Sequence, residues 1–546
     1  MNDFIKKNKS IFIFAGLLLV CFLVYFFGIG SYPLMDVDET RYVSMARDMF
    51  NSKDFLTLHL NGEYFFEKPP LYFWSECLSF KVFGHVNEFT ARFAVAFYAL
   101  IVTVFVYFTG KKVVSEKFGI ISALILTTMV EFVILAKYAI LDIVLASLVG
   151  CSVLLGFLTQ FVKENHQKYF WWLFYIFSGL AVLAKGIPGF VIPFGTMFFV
   201  SVFNKTFKKI FKPSFIIPGI LMFLLIVIPW HLIMLKIHNP FFFNEYVIKH
   251  HWNRFFTSNQ IGREQPFYFY ILTLLWGTMP YTLSALAAGL TKIFKWEKFD
   301  FSNMTNERKF LWFNIIAFCF TLIFFSLSST KLITYILPIY VFIAYIIGFV
   351  WTEYIYEDKC TKEINISSYI LGSIFILTAI AVIFIKYYLP EQIYTYMLDL
   401  KWFNTILLFV TGLSVIIFTA KKKKLAVLVT FILFIATLSA FGTKMFYNFN
   451  FKFGQIDLLE FSTQEKKLGH KLYVINNPRK YSVLYYDGNV KYITLKKKTP
   501  KLKKSDAIFY PKSRAIIKNK DYDNLARKYN IEIIEKGRKY SIVRFK

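Results

Sequence analysis

Asp36, Asp38, Glu39 and Arg41 crowd into six consecutive positions of the segment SYPLMDVDETRYVSMARDMF, directly after an apolar run at 11–30. Charge beside a membrane-length apolar run is costly to keep without partners. Further ionisable residues recur near the ends of later apolar runs: Glu67, Lys68, Arg92, Glu131, Lys137, Asp142, Lys185, Lys249, His250, His251, Arg254, Arg263, Glu264 and Lys331. The cations suit a phosphate, with Arg as a planar clamp and Lys as a point charge. A carboxylate among cations suits a general base. Together these types point to group transfer from a lipid-linked phosphate. The base activates an acceptor oxygen while the cations stabilise the leaving phosphate. The same segments contain no Gly-rich nucleotide loop, which argues against a soluble nucleotide donor.

Each group also has a structural reading. Asp36 and Glu39 are three apart at a helix start, as in a capping box. Asp38 and Arg41 form an i,i+3 pair of the kind found on helix surfaces. Arg92 opens an apolar run, where its head could snorkel to the interface. His250 and His251 are adjacent, about 100° apart on a helix, which disfavours a shared metal. Asp36, Asp38 and Glu39 could hold a hard divalent cation. Nearby Lys and Arg can do the same electrostatic work, and nothing in the sequence requires a cofactor.

The elements that must position these residues are membrane helices. Of 546 residues, 56% are hydrophobic, 20% aromatic and only 18% charged, with 67 Phe and 34 Tyr. A water-soluble chain of this length would carry more charge. Runs long enough to span occur near 11–30, 91–109, 118–135, 139–161, 169–184, 187–203, 214–235, 266–291, 310–328, 332–351, 369–388, 403–419 and 425–445. They predict a polytopic α-helical membrane protein of about 13 spans. Lys185-Gly186 separates two of these spans, because Pro188 and Gly189 punctuate helices.

With the N-terminus in the cytoplasm, loops such as GKKVVSEK, NKTFKKIFKP and AKKKK fall on the cytoplasmic side. That is the positive-inside pattern, and it accounts for the net charge of +29 without nucleic acid. An odd number of spans puts the C-terminus outside. The basic start and long first run read as a retained helix rather than a cleaved signal. Cys21, Cys77, Cys151, Cys319 and Cys360 form no C-x-x-C, so neither a disulfide framework nor a thiolate metal site is expected.

Two domains follow: a membrane domain at 1–445 and an α/β domain at 446–546 outside the membrane. KLYVIN, SVLYYDG, VKYITL, DAIFYP and IEIIEKGRKYSIVRF read as short strands, and DYDNLARKYN as a helix. LKKKTPKLKK could touch anionic lipid head groups or form a solvated basic face. Within loop 31–90, ETRYVSMARDMF and PLYFWSECLSFKVFG have the spacing of amphipathic helices at the outer surface. Ionisable residues gather at one side rather than at the midplane, and no internal repeat is evident. Both features disfavour a transporter or flippase.

The motifs DETRY (38–42), YFFEKPPLYFW (64–74), LD (141–142), AKGIPG (184–189), HHWNRF with a following PFYFY, and KLITYILP (331–338) occur in this order. The series resembles the bacterial 4-amino-4-deoxy-L-arabinose transferases that modify lipid A. These lie within the protein O-mannosyltransferase-like GT-C glycosyltransferases. The resemblance covers the membrane region and is strongest in the first 190 residues. It implies an inverting enzyme of the bacterial inner membrane, active on the periplasmic face. The implied donor is a polyprenyl-phosphate sugar, and the acceptor a phosphate of lipid A or a related envelope molecule. By motif match, Asp38 is the principal carboxylate and Asp142 a second one. Arg41 and Lys68 match cations near donor phosphate and acceptor, and Lys185 a further polar residue. Glu67, Arg254 and Lys331 match motif positions. A protein O-mannosyltransferase-like activity is the alternative. A phosphate acceptor is already ionised, so Asp38 would then orient it or balance the cations. A hydroxyl acceptor would make Asp38 a general base.

Overall fold

The computed structural model describes residues 8–207, 212–253, 264–293, 304–384, 391–442, 455–475, 481–487, 490–493, 513–527, 529–537 and 539–546. Among them, nine helices are long and apolar enough to cross a membrane, or eleven if each of two bent pairs is one span. The expected count of about 13 is therefore not confirmed. Glu164–Lys185 and Pro188–Phe203 account for the difference. Trp, Tyr and charged ends dilute the first, and the second has only 16 residues. Both are helices nonetheless, separated at Gly186 and Ile187 as the sequence predicts. Gly186 takes φ 82°, and a Cβ on Gly189 would lie 2.3 Å from the carbonyl carbon of Ala181. Only glycine allows that turn and that approach.

Leu141–Leu158 is the centre of the bundle, with every residue buried. The bent pairs are Glu116–Thr128 with Val130–Ala136 (68°) and Phe269–Gly277 with Thr282–Gly289 (116°). Their breaks meet where the Val130 amide donates to the Met279 carbonyl at 3.2 Å. Glu131 accepts from the Tyr340 hydroxyl at this junction. Lys137 donates to the carbonyls of Phe27 and Ser439, each at 2.8 Å, tying the first apolar helix to the last. These bonds relieve the cost of polar groups within an apolar bundle.

Both expected amphipathic segments are helical. Asp38–Ser52 buries Tyr42, Val43, Met45, Ala46 and Met49 and ends at Lys53, φ 62°. Leu71–Phe83 starts behind Pro70 and stops at Gly84, φ 77°. Between them, His59–Leu60 and Glu63–Tyr64 form a small antiparallel ladder.

The C-terminal part carries a five-stranded sheet in the order Val490–Ile493, Lys471–Ile475, Ser513–Lys518, Tyr540–Phe545, Ile531–Lys536. The first two pairings are parallel and the last two antiparallel. SVLYYDG is not the strand expected. Tyr481–Asp487 is a helix whose Ser482, Val483, Leu484 and Tyr485 are buried. Contacts from the membrane domain hold its two ends, and tertiary packing overrides β-propensity. Strand Ser513–Lys518 and helix Gln455–Lys467 were not anticipated. DAIFYP and LKKKTPKLKK lie outside the described residues.

Candidate active site

Asp38 opens its helix, and Arg41 follows one turn later. Arg41 Nη2 donates to Asp38 Oδ1 at 2.7 Å and to the Tyr42 hydroxyl at 3.1 Å. The guanidinium lies 4.8 Å from the centre of the Tyr42 ring and 5.8 Å from that of Phe65. Two aromatic faces thus support a planar cation. Arg41 Nε is buried and has no acceptor among the described residues. Burial disfavours the charge, but Tyr42, Asp38 and Glu67 outweigh it and hold the Arg41 pKa above the usual arginine value. The Tyr42 hydroxyl is pushed up, first by burial and then by Asp38, Asp142 and Glu67 against the pull of Arg41. Residues from three separate segments therefore converge.

The 59–64 ladder and the Phe65 amide bond to the Leu58 carbonyl (2.9 Å) hold the segment that carries Phe65, Glu67 and Lys68. Lys68 is buried. Glu67 Oε1 stands 4.0 Å from His250 Nε2, which also lies 3.5 Å from Glu245. Asp142, in the first turn of Leu141–Leu158, pairs with Lys185, in the last turn of Glu164–Lys185. The Lys185 ammonium lies 4.2 Å from the centre of the Tyr335 ring. Four residues earlier, Lys331 is buried and donates to the Ser328 carbonyl at 2.7 Å. Desolvation lowers its pKa. Arg254 lies outside the described residues.

Several of the structural readings change. Glu39 does not cap its helix, and Arg92 does not snorkel; the two form a fully buried pair at 2.7 Å. Asp36 accepts from Thr40 Oγ1 and from Ser482 rather than joining a capping box with Glu39. The three neighbouring carboxylates thus face three different partners, an arrangement that does not fit a shared cation. No cluster of three or more His, Cys, Asp or Glu suited to a metal occurs among the described residues. Sequence reasoning also passed over Tyr42, Phe65 and Tyr335. They sit inside the quoted motifs, but aromatics at an interface read first as membrane anchors.

An apolar cavity of about 400 Å³ opens beside Lys185, lined by Val182, Gly186, Ile187, Phe190, Phe223 and His231 among others. Val182 and Gly186, which line this cavity, flank Lys185 in the chain.

Residues 10–240 match the family described as dolichyl-phosphate-mannose-protein mannosyltransferase. The chain is 27% identical over 406 residues to undecaprenyl phosphate-alpha-4-amino-4-deoxy-L-arabinose arabinosyl transferase 2 of Proteus mirabilis, covering 74% of this chain and 71% of that relative. It is 30% identical over 329 residues to the corresponding transferase of Yersinia enterocolitica, covering 59% of this chain and 56% of that one. In fold it matches ArnT from Cupriavidus metallidurans bound to undecaprenyl phosphate, with TM-score 0.77 and 17% identity over 98% of both chains. An Archaeoglobus fulgidus oligosaccharyltransferase aligns less well, with TM-score 0.52 and 10% identity over 94% of this chain and 70% of that one. The chain is a multi-pass membrane protein, similar in sequence to these arabinosyl transferases and alike in fold to ArnT.

Proposed function

We propose that the protein transfers a sugar, 4-amino-4-deoxy-L-arabinose by its relatives, from a polyprenyl phosphate to lipid A or a related envelope acceptor. The observation that carries this is Arg41: a half-buried guanidinium beside the Tyr42 and Phe65 rings, whose buried Nε has no acceptor among the described residues. Names of relatives supply the sugar and the undecaprenyl carrier.

The reaction is a single in-line displacement. The bond between the anomeric carbon and the donor phosphate oxygen breaks as the acceptor oxygen bonds that carbon from the opposite face. The electron pair leaves with the polyprenyl phosphate, where Arg41, Lys68 and Lys185 take up the charge. Lys331 adds a further cation, and Arg254 is proposed as another by its motif position alone. The groove beside Lys185 takes the lipid tail. Asp38, already bonded to Arg41, orients a phosphate acceptor, which has no proton to lose. For a hydroxyl acceptor the same carboxylate takes the proton. Asp142 holds Lys185, and Glu67 offsets the charge of Arg41. Charge is handled by these cations, so transfer should survive a chelator; its loss would assign an essential metal.

The site faces the periplasm of the inner membrane in this reading, with the N-terminus cytoplasmic and the C-terminal domain periplasmic. Lys111 and Lys112 end the helix Glu88–Val113 far from the site, as retained basic residues should. Mass spectrometry of lipid A from cells with and without the gene tests the reading. Purified wild type and Asp38→Asn are then compared for sugar transfer, and an undiminished rate in the variant ends the role of Asp38. The family match favours one second reading, transfer to protein. Label from a radioactive donor appearing on protein rather than lipid would establish it.

A further inference from the structure

The helix Tyr481–Asp487 belongs to the C-terminal domain by chain order, yet it docks on the helix that carries Asp38 and Arg41. At its start, the Ser482 amide donates to Asp36 Oδ1 and the Ser482 hydroxyl to Oδ2, both at 2.8 Å. The same Asp36 Oδ1 accepts from Thr40 Oγ1 at 2.7 Å, the residue before Arg41. One carboxylate thus joins Ser482 to the turn that presents Asp38 and Arg41. At the other end, Arg47 donates to the carbonyls of Leu484 (3.3 Å) and Tyr485. A cation there matches the negative end of a helix. Tyr486 donates to Glu88 at 2.8 Å and accepts from the Leu34 amide at 3.2 Å. Tyr485 is buried in the hydrophobic core of the membrane domain itself. The Tyr481 hydroxyl is among the groups whose field acts on Arg41.

Nothing in a merely tethered domain calls for these contacts. A loose domain would meet the membrane part through few, exposed contacts. Here the contacts are charge-assisted, and they straddle the residues that read as phosphate-binding.

We propose that helix Tyr481–Asp487 is a positioning element of the transfer site. Ser482, through Asp36, sets the turn that presents Arg41 to the donor phosphate, and the C-terminal domain thereby contributes to donor binding. This rests on the reading of Arg41 as a donor-phosphate ligand.

The test uses the full-length protein in nanodiscs, with transfer from a polyprenyl-phosphate sugar. Ser482→Ala keeps the backbone donor and removes the hydroxyl; Asp36→Ala removes both acceptors. The Asp36→Ala variant is expected to raise donor KM about tenfold, equivalent to about 1.4 kcal/mol, with kcat little changed. Ser482→Ala shifts KM in the same direction by less. The double variant should be no worse than Asp36→Ala alone, because both act through one contact. Asp36→Asn keeps a carbonyl for the Ser482 amide and should restore most of the affinity. Unchanged donor KM in both single variants overturns the proposal. So does a fall in kcat with lowered thermal stability at constant KM, which marks a structural joint only. If Asp36→Ala does not fold, Ser482→Ala decides alone. Arg41→Ala is run in parallel: unchanged donor KM there refutes the underlying reading, whatever Ser482 does.

Discussion

Two acid–arginine pairs draw on the same turn of helix and do opposite things. Glu39–Arg92 is 0% exposed on both sides. Arg92 Nε and Nη2 reach Glu39 at 2.7 and 2.8 Å, and the remaining donors reach the carbonyls of Ile29, Tyr32 and Pro33. Glu39 also accepts the amides of Met35 and Ala139. Every guanidinium N–H has an acceptor, and nothing is left to bind a ligand. In Asp38–Arg41 the carboxylate is 41% exposed and the guanidinium 17%. Arg41 Nε has no acceptor among the described residues. A closed pair of this kind holds a structure together. An open one has capacity in reserve, and a buried donor without a partner is costly unless a ligand supplies one.

Four predictions bear on that contrast. The largest effect belongs to the closed pair. Arg92→Leu leaves Glu39 buried without its cation and should cost about 3–5 kcal/mol, read as lost thermal stability in detergent. Equal stability of variant and wild type would place Glu39–Arg92 with the open pairs. Next is Arg41→Ala, which should leave the melting temperature close to wild type and lower transfer roughly 10²–10³-fold, as for loss of one charge-stabilising donor. A large stability loss would make it a second structural pair. Third, Lys185→Met and Asp142→Asn should each lower transfer by about tenfold or more. The double variant should be no worse than the weaker single one, because the two residues act as one unit. Additive losses in that cycle would separate their roles.

The smallest effect concerns Glu76, fully buried one helix away. Its Oε1 accepts from Tyr72 at 2.9 Å, and its Oε2 has no partner among the described residues. Burial, reinforced by the nearby charge of Glu39, raises its pKa well above the usual 4.5. A carboxyl with a raised folded-state pKa is most stabilising below its unfolded value, and that contribution fades as pH rises toward the folded one. Glu76→Gln stays neutral throughout. It should flatten this slope and raise the melting temperature by about a few degrees at alkaline pH. A variant that melts lower than wild type at every pH would show that the carboxyl carries more than its neutral form does.

The open pair was legible in the sequence and the closed one was not. Asp38 and Arg41 are three residues apart on one helix, so local spacing predicts their contact. Glu39 and Arg92 are separated by 53 positions, and only folding brings them together. Glu39 therefore read as a cap and Arg92 as a snorkelling residue. Asp142 and Lys185 were each expected at an outer helix end, but their pairing across 43 positions was not. Helix Tyr481–Asp487 was misread for the same reason. Seven residues of aromatic and β-branched character favour a strand until Asp36 and Arg47 meet the two ends.

Hydropathy along the chain determined that this is a polytopic membrane protein and where most of its helices lie. Those are local properties, because each apolar run must satisfy its own backbone before it meets another. Motif order carried the family resemblance. Tertiary structure alone decided which acid met which cation, which arginine was closed off, and that a C-terminal helix reached the turn that carries Asp38 and Arg41. Such choices depend on distances between segments far apart in the chain. Low dielectric makes each pairing decisive, since every buried charge must find a partner or wait for a ligand.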